Sequence, residues 1–533
     1  MALRSTFAAF ETAKSGLFMA QKQMDVTTHN MANVNTVGYT RQMFVQRAID
    51  PYGNIERFPG PTRGGKIGLG TEPMELKQIR DAFLDIQFRQ EFATEGQYEI
   101  RNQGMYYIED IFNEIGDTSL DKLISDFFQS FSTTSGEKPN DDEYRTIIRS
   151  SAELLISQFH IFHSQLEEQQ LNFNKNIETV VGQINDIAEQ IDSLNDRIFK
   201  FELTGEKALD LRDQRNLLLD ELSKLTSISY SEDHRGRVTV QLEGRDLVFP
   251  RSAATDQHGF VKLEVGGYNP PKYAVDGTTE LNCIYWTDYE GNLTPPLPVG
   301  GPYDTLEPSD GALRGYFDVR DGVGPGGLPA GEPVAKGIPY YLNQLNKLAE
   351  AIVKEVNAVH SQGWSKNTAT PPANNSAQGY NFFDITGVTA KTIDLSAAVK
   401  ADLKNIALSS EKVEEDGQDI NTGNGLNAQK LYDLFEKKDL SLVTDVKNFA
   451  EYYSTMIADL SVEAGRVNTT YKAQAKLVSS VDTQRAAVSS VSMDEETANL
   501  VMFQHAYNAA ARCLTALDEA LEHLIMRTGR VGL

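Results

Sequence analysis

Two histidines of this sequence have a spacing that a metal ion could use. His160 and His163 are three residues apart in a segment predicted to be helical, so both would lie on one face of that helix. No third ligand is apparent, and a metal site generally needs three or four. His29 lies at the predicted end of the first helix, where capping or a polar contact explains it. We interpret all three histidines as packing or solvated residues.

Two loops share part of their pattern with known ligand-binding loops. The glycine-rich stretch 64–70 lacks the spacing and the Ser or Thr of a phosphate-binding loop. Residues 419–423 resemble the start of a calcium loop, but Lys430 stands at the twelfth position, where a bidentate glutamate is needed. The sequence therefore predicts no catalytic residues, no metal site and no cofactor, and we expect that the protein is not an enzyme.

Composition argues against several other classes of protein. A chain of 533 residues is too long for one hydrophobic core, so several domains are expected. A formal net charge of −25 argues against a nucleic-acid-binding protein, which needs a basic surface to displace counterions. The two cysteines, Cys283 and Cys513, predict neither a disulfide framework nor a metal cluster. No apolar run reaches the roughly 18 residues of a membrane span. Glu11 and Lys14 interrupt what would be the apolar stretch of a cleaved export signal.

Both ends of the chain carry large apolar residues at every seventh position, a spacing that keeps one stripe of a helix against a partner helix. The N-terminal stripe consists of Leu3, Phe10, Leu17, Met24 and Met31. The C-terminal stripe consists of Met493, Leu500, Tyr507, Leu514 and Leu521, with Phe503, Ala510, Leu517 and Leu524 in a second seam. We predict two terminal helices that pack lengthwise against each other and form an assembly interface. The alternative is that each is an ordinary amphipathic helix on a globular core.

The predicted C-terminal helix has a recognisable start and end. Ser492 and Glu495 have the spacing of a capping box, and Asp494 and Glu496 add negative charge to the first turn. Gly529 is a plausible end.

The energy of the terminal pair is expected to be marginal. Each stripe offers about five large residues, worth roughly 1.5–3 kcal/mol each when fully buried. The entropy lost in ordering the backbone of each helix opposes this gain, and helical hydrogen bonds offset only part of it. We therefore expect the chain ends to stay loose in the free monomer and to become ordered when neighbouring copies supply more apolar surface.

The middle of the chain divides into helical and β-rich parts. Heptads from Ile177 to Phe201 and from Val446 to Val488 predict an antiparallel helical rod. Beyond Ile228 the chain is rich in proline and glycine, and short alternating runs predict strands, with a hairpin turn near Gly291. The predicted fold class is multidomain α+β with discontinuous domains. These are a terminal coiled-coil domain (1–36 plus 492–533), a helical-bundle rod (37–227 plus 336–491) and an inserted β-rich outer domain (228–335) that lies farthest from the termini.

The block Asn30-Met-Ala-Asn-Val-Asn-Thr-Val-Gly-Tyr-Thr-Arg41 follows the first predicted helix. Its asparagines and Gly38 are residues that end a helix and turn the chain into an extended segment. With Ser15-Gly-Leu and Asp25-Val before it, this block resembles the N-terminal signature of bacterial flagellar rod, hook and hook-associated proteins. Further similar blocks are residues 79–89, 211–222, 311–321, 355–360 and 504–512.

The resemblance implies a structural subunit of the bacterial flagellum, exported unfolded and assembled outside the cell at the hook–filament junction. It implies helical self-association through the terminal helices. It also implies three partners: the hook protein, a second hook-associated junction protein (FlgL), and a cytosolic export chaperone (FlgN) that binds the C-terminal helix. Alternatives are another flagellar axial protein or, in a different class, a carbohydrate-binding or adhesive protein that uses the β insertion.

Overall fold

Long α-helices make up most of the fold, and the strands form small antiparallel sheets. The computed structural model describes residues 6–49, 70–112, 119–134, 141–251, 259–268, 271–287, 305–325, 334–366, 380–415, 418–419, 423–437 and 448–528. The helices in these ranges are α1 (Thr6–Ala32), α2 (Ala82–Phe112), α3 (Leu120–Thr134), α4 (Asp142–Glu202), α5 (Leu209–Leu225), α6 (Gly311–Asp321), α7 (Ile338–His360), α8 (Ala397–Ala401), α9 (Leu426–Glu436), α10 (Phe449–Ser489) and α11 (Met493–Thr528). None of them combines the length and the apolar character that crossing a membrane requires.

The strands pair with near neighbours in sequence. They are β1 (Gln42–Ala48), β2 (Thr71–Gln78), β3 (Ile228–Glu232), β4 (Val238–Leu242), β5 (Arg245–Val248), β6 (Leu263–Gly267), β7 (Asn282–Trp286), β8 (Glu414–Glu415) and β9 (Gln418–Asp419). β1 pairs with β2, β3–β4–β5 form one sheet, and β6–β7 and β8–β9 are two-stranded. All of these pairs are antiparallel.

The helix α4 is the longest element and takes part in two hydrophobic cores. Its 61 residues span about 90 Å at 1.5 Å per residue. The sequence of α4 has no proline and one glycine, Gly182, so nothing in it favours a break. Apolar residues at helical spacing along its whole length are fully buried: Ile148, Leu155, Phe159, Phe162, Leu166, Ile177, Ile184, Ile191 and Ile198.

The first core surrounds the N-terminal half of α4 and includes side chains of α3, α7, α9 and the start of α10. Phe127 of α3 contacts both Phe382 and Phe383, with ring centroids 5.8 Å apart in each case. The guanidinium of Arg145 on α4 donates to the carbonyl of Ile406. Residues 380–408 therefore pack against this half of α4.

The second core combines the C-terminal half of α4 with α5, α6 and the strands β4–β7. Two asparagines of α4 fix the strands through paired backbone hydrogen bonds. Asn195 accepts from the Val238 N–H at 3.0 Å and donates to the Val238 carbonyl at 2.8 Å. Asn185 does the same with Leu263, at 2.8 Å for both bonds. The strands therefore share a core with the helices.

The sequence predicts that the strands lie farthest from the terminal helices, but in the structure they do not. The N-terminal turn of α5 contacts the segment just after α1, because the Thr40 N–H donates to Asp213 at 3.0 Å. The strands pack on the half of α4 next to α5, whereas residues 380–408 pack on the other half. This expectation was wrong because composition marks a segment as β-rich without indicating which part of a helix it covers.

The antiparallel partner of α10 is α2. Gln474 donates to the carboxylate of Glu91 at 2.6 Å, and Arg101 donates to Glu463 at 3.4 Å. The rod predicted between residues 177–201 and 446–488 is therefore wrong in its pairing, since residues 177–198 pack on α5 and the strands. A heptad stripe indicates that a helix has a partner but does not identify it.

Several sequence-based interpretations concern residues outside the described ranges. These are the turn near Gly291, the glycine-rich residues 64–69, the calcium-like residues 420–422, and the positions Val446 and Gly529.

The helices α2 and α6 approach each other closely at glycines. A Cβ on Gly315 of α6 would lie 2.6 Å from the Gln97 carbonyl oxygen and 2.8 Å from the Ile100 Cβ. A Cβ on Gly104 of α2 would lie 2.5 Å from a methyl group of Val319. The packing of these two helices therefore requires the absence of a side chain at both positions.

The buried His360 at the end of α7 links two chain segments. Its Nε2 accepts from the Ala407 N–H at 2.8 Å, and its Nδ1 faces the Tyr380 carbonyl. These contacts select the neutral ring that donates from Nδ1. The pKa of His360 is lowered to about 4, chiefly by burial and also by the nearby Arg145, although the contact with Tyr380 opposes the shift.

We expect Gly315→Ala to lower the free energy of unfolding by about 1–3 kcal/mol, because the added methyl group overpacks the α2–α6 contact. The measurement is denaturant unfolding of the full chain. The matched control is Gly182→Ala on α4, where a Cβ meets nothing within 4 Å. That change should stabilise the helix by about 0.5–1 kcal/mol. Equal effects of the two changes would contradict the close approach.

We expect acidification to destabilise the protein through His360. The neutral ring stabilises the fold fully above about pH 6.5, and this contribution of about 3 kcal/mol is lost as the pH falls toward 4. His360→Gln should therefore flatten the dependence of the unfolding temperature on pH between these values. His234→Gln, on an exposed turn, is the control and should keep the slope of the unchanged protein. A slope unaffected by His360→Gln would contradict this assignment.

Candidate assembly interface

The helices α1 and α11 pack against each other in an antiparallel pair. A Cβ on Gly16 would lie 4.0 Å from the Cβ of Ala510, and Asn30 donates to Glu496 at 3.1 Å. Residue numbers along this contact rise in α1 and fall in α11, which makes the pair antiparallel. The two ends of the chain therefore pack together as one structural unit.

The seam residues within this pair are only partly covered. Phe10, Leu17, Met24 and Met31 on α1 are half-buried, as are Leu500, Phe503, Tyr507, Ala510, Leu514, Leu517 and Leu521 on α11. Met493 is 44% exposed. Leu3 and the side chain of Leu524 lie outside the described residues. The pair thus brings both stripes together but leaves part of each accessible.

A second face of α1 packs on the hairpin of β1 and β2, and the heptad pattern does not indicate this contact. The Ser15 hydroxyl accepts from the Thr71 N–H at 3.2 Å at the start of β2. Met19 lies off the predicted stripe and is 2% exposed. The helix α1 is therefore held on two sides.

The turn after α1 is organised by Asn30, which is buried. Its Oδ1 accepts from the Tyr39 hydroxyl at 2.8 Å and from the Gln42 N–H at 3.0 Å. Its Nδ2 donates to the Gln42 carbonyl at 2.9 Å and to Glu496 at 3.1 Å. Burial raises the pKa of Tyr39, and the nearby carboxylates raise it further, so its hydroxyl keeps the proton that it donates.

Arg41 connects this turn to the start of α11. Its Nε donates to Glu496 at 2.8 Å and its Nη1 to Glu495 at 2.7 Å. Its backbone N–H donates to the Ser489 carbonyl at 2.9 Å, at the end of α10. Glu496 is 2% exposed, whereas the Glu495 side chain is 63% exposed. The buried member of this pair accepts from both Arg41 and Asn30.

The predicted capping box forms only in part. The Ser492 Oγ accepts from the Glu495 N–H at 3.5 Å, which is a long contact. The Glu495 carboxylate pairs with Arg41.

A second ionic contact joins the same turn to α5 and α2. The Thr40 hydroxyl donates to Asp213 at 2.6 Å, and Arg80 lies 3.5 Å from the same carboxylate. Arg80 also forms a two-point contact with Asp85 at 2.9 and 3.0 Å. Burial raises the pKa of Asp213 to about 6, although its contacts with Thr40 and Arg80 oppose the shift.

The histidines singled out in the sequence have structural contacts. The Nε2 of His160 lies 2.9 Å from the Ile393 carbonyl oxygen. His163 is buried 3.3 Å from Glu167, and burial lowers its pKa. His29 lies 3.5 Å from Asp210. Within the described residues, no group of three or more His, Cys, Asp or Glu side chains could hold a metal ion.

The residues that anchor the terminal pair were not identified from the sequence as site residues. They are Asp210, Asp213, Arg80, Arg41 and Glu496. Arg41, Arg80 and Asp213 lie in the blocks 30–41, 79–89 and 211–222, which resemble one family and which the structure brings together. Asp210 and Glu496 lie outside these blocks.

Comparisons with known proteins find matching family models and similar relatives. The model of the flagellar hook-associated protein FlgK helical domain matches residues 105–383, and that of the flagella basal body rod protein matches residues 10–40. Flagellar hook-associated protein 1 of Bacillus subtilis is 28% identical over 545 residues, covering 99% of this chain and 100% of the relative. The protein of that name from Escherichia coli is 25% identical over 559 residues, covering 96% of this chain and 98% of the relative.

A solved structure also has a similar fold. The flagellar hook junction protein FlgK from Burkholderia pseudomallei aligns with a TM-score of 0.55 at 14% identity, covering 76% of this chain and 100% of that chain. This likeness concerns the fold alone.

Neither matching family model describes a catalytic domain. The helical-domain model spans more than half of the sequence, and the rod-protein model ends within the 30–41 block. The resemblance noted in the sequence is confirmed: the chain belongs to the FlgK family of flagellar hook-associated proteins.

Proposed function

We propose that this protein is a structural subunit of the bacterial flagellum at the junction between hook and filament, outside the cell. Copies associate helically through α1 and α11. The observation that carries this proposal is that the two chain ends form one antiparallel unit whose apolar seams are only half-buried. Relatives named flagellar hook-associated protein 1 also match the chain over nearly its whole length.

The terminal pair has apolar surface available for a neighbouring copy. Phe18, Val501 and Met502 are 46%, 46% and 55% exposed. Covering such surface contributes about 25 cal/mol per Å². The proposed assembly interface consists of Leu3, Phe10, Leu17, Met24, Met31, Met493, Leu500, Phe503, Tyr507, Leu514, Leu517, Leu521 and Leu524.

The proposed partners follow from the junction position. The hook protein contacts the assembly on one side and the second junction protein, FlgL, on the other. The export chaperone FlgN binds α11 in the cytosol and covers its apolar stripe before export.

The chain is proposed to divide into three parts. Residues 1–36 plus 492–533 form the terminal unit, 37–227 plus 336–491 the helical rod, and 228–335 a β-rich part. The third part shares its core with α4, α5 and α6.

We expect Glu496→Ala to loosen the terminal pair, because it leaves Asn30 and Arg41 without a buried acceptor at a cost of about 1–3 kcal/mol. Limited proteolysis with mass spectrometry should show faster cleavage within residues 33–41 and 489–492. The matched control is Glu495→Ala, one position away with the same Arg41 partner but exposed to solvent. Its effect should be below about 1 kcal/mol. Equal cleavage rates for the two variants would contradict the proposed anchor.

The proposed function is tested in cells that lack the native protein. The labelled full chain should appear between hook and filament when isolated flagella are viewed by electron microscopy. A chain ending at residue 492 should leave hooks without filaments, because the antiparallel unit cannot form. Circular dichroism and protease resistance should show that its central region remains folded. Filaments that grow on hooks in cells carrying the shortened chain would falsify the proposal.

A further inference from the structure

The helix α4 carries an apolar stripe that the described part of the chain leaves uncovered. Ile147, Leu154 and Ile161 are 50%, 59% and 44% exposed, although all three are large and apolar. They are seven residues apart, and each is followed three positions later by an exposed serine: Ser150, Ser157 and Ser164. A repeat of seven is the spacing of a helix that packs lengthwise on another helix.

The helix α10 presents an exposed stripe of mostly small residues around one valine, with Arg466, which is 55% exposed and paired with Glu463, at its edge. Val462 is 71% exposed, and Thr455, Ala458, Gly465 and Thr469 are exposed on the same face. A Cβ on Gly465 would meet nothing within 4 Å, so a neighbouring helix could approach closely.

The threonines on this stripe do not need an outside partner. The Thr455 hydroxyl donates to the Glu451 carbonyl at 2.7 Å, and the Thr469 hydroxyl donates to the Gly465 carbonyl at 2.8 Å. Covering them therefore leaves no hydroxyl donor unpaired.

The two stripes cannot meet within one copy. Leu155 and Phe159 on α4, and Tyr453 and Leu460 on α10, are buried in the same first core. The exposed stripes occupy the other faces of both helices and therefore point away from this core.

The two helices run in the same direction. α10 is antiparallel to α2, as its contacts with Glu91 and Arg101 require. α4 is also antiparallel to α2, because Phe162 contacts Phe112 and Phe173 contacts Tyr107, with ring centroids 5.1 and 6.4 Å apart. Copies held in one orientation would therefore present the two stripes in parallel.

We propose that the α4 stripe of one copy packs in parallel on the α10 stripe of a neighbouring copy, which adds a lateral contact to the one between terminal helices. This inference rests on the proposed function. The register that matches the stripes sets Ile147 beside Thr455, Leu154 beside Val462, Ile161 beside Thr469 and Glu168 beside Lys476. Both Glu168 and Lys476 are exposed, so the apolar contact ends in a pair of opposite charges.

The register also defines a displacement between neighbours. Within one copy, Phe162 of α4 lies beside Phe112 of α2. Arg101 of α2 pairs with Glu463 of α10, so in this antiparallel pair Phe112 lies opposite Tyr452. Phe162 and Tyr452 are therefore at the same height along the helix axes. In the proposed register, each α4 residue lies beside an α10 residue about 18 positions later than the one at its height within a single copy. This difference corresponds to a displacement of about 27 Å along the helix axis. A contact between two different surfaces with such a displacement repeats as a helix.

The contact is too small to hold two free copies together. A single helix-on-helix stripe of this length covers a few hundred Å² per side, below the roughly 800 Å² per partner of a stable interface. It would form where the terminal helices keep copies side by side at high effective concentration.

The test uses the full chain with the exposed Cys513 changed to Ser. Leu154→Cys combined with Val462→Cys, incorporated into flagella and mildly oxidised, should give disulfide-linked dimers and higher species. The off-register control combines Leu154→Cys with Leu477→Cys, which is also an exposed position on α10. The first pair at high dilution in free solution should remain monomeric. Cross-linking no greater than in the off-register control would overturn the proposal.

A charge exchange gives an independent readout. Glu168→Lys and Lys476→Glu should each lower the cross-link yield by about threefold, and the double change should restore it. Failure of the double change to restore the yield would overturn the register. A chain found at the junction without cross-links disproves the lateral contact alone, whereas a chain absent from flagella overturns the proposed function and with it this inference.

Discussion

The buried carboxylate of Glu496 is the contact on which the arrangement of the chain ends depends. Removed from water, it is stable only with donors beside it, and both donors, Asn30 and Arg41, come from the other end of the chain. The same turn is held to α5 and α2 by Thr40, Asp213 and Arg80. One cluster of polar contacts thus fixes the terminal pair relative to α2 and α5.

Away from this cluster, apolar packing along α4 organises the fold. Apolar residues along the whole length of α4 allow each half of the helix to form a separate hydrophobic core with different elements. The second core needs α4 to complete it, because its strands are few and short. The asparagines Asn185 and Asn195 then fix strand positions that apolar contacts alone would leave free to slide.

The sequence predicted the helices better than their pairing. Heptads at both ends predicted α1 and α11, since a period of seven has one structural explanation over such a length. The partner of α10 could not be predicted, because α2 contacts it through Glu91 and Arg101 as well as apolar residues. The position of the strands was also missed, since nothing in an alternating pattern specifies a register on a distant helix.

The residues that anchor the terminal pair could not be predicted from the sequence for a different reason. Asp213 and Glu496 look like ordinary surface carboxylates in the sequence, and only their distant partners explain their burial. The resemblance of blocks 30–41 and 211–222 to one family was the single available signal. This resemblance identified the two segments but did not indicate that they are in contact.

The distance in sequence between Asn30 and Glu496, 466 positions, has a consequence for how the protein matures. A nascent or broken chain that stops before α11 lacks the Glu496 carboxylate, so its first helix keeps its contacts with β1 and β2 but has no partner on its other side. Under the proposed function, completion of synthesis is therefore a condition for polymerisation, because a chain without α11 lacks half of the proposed interface.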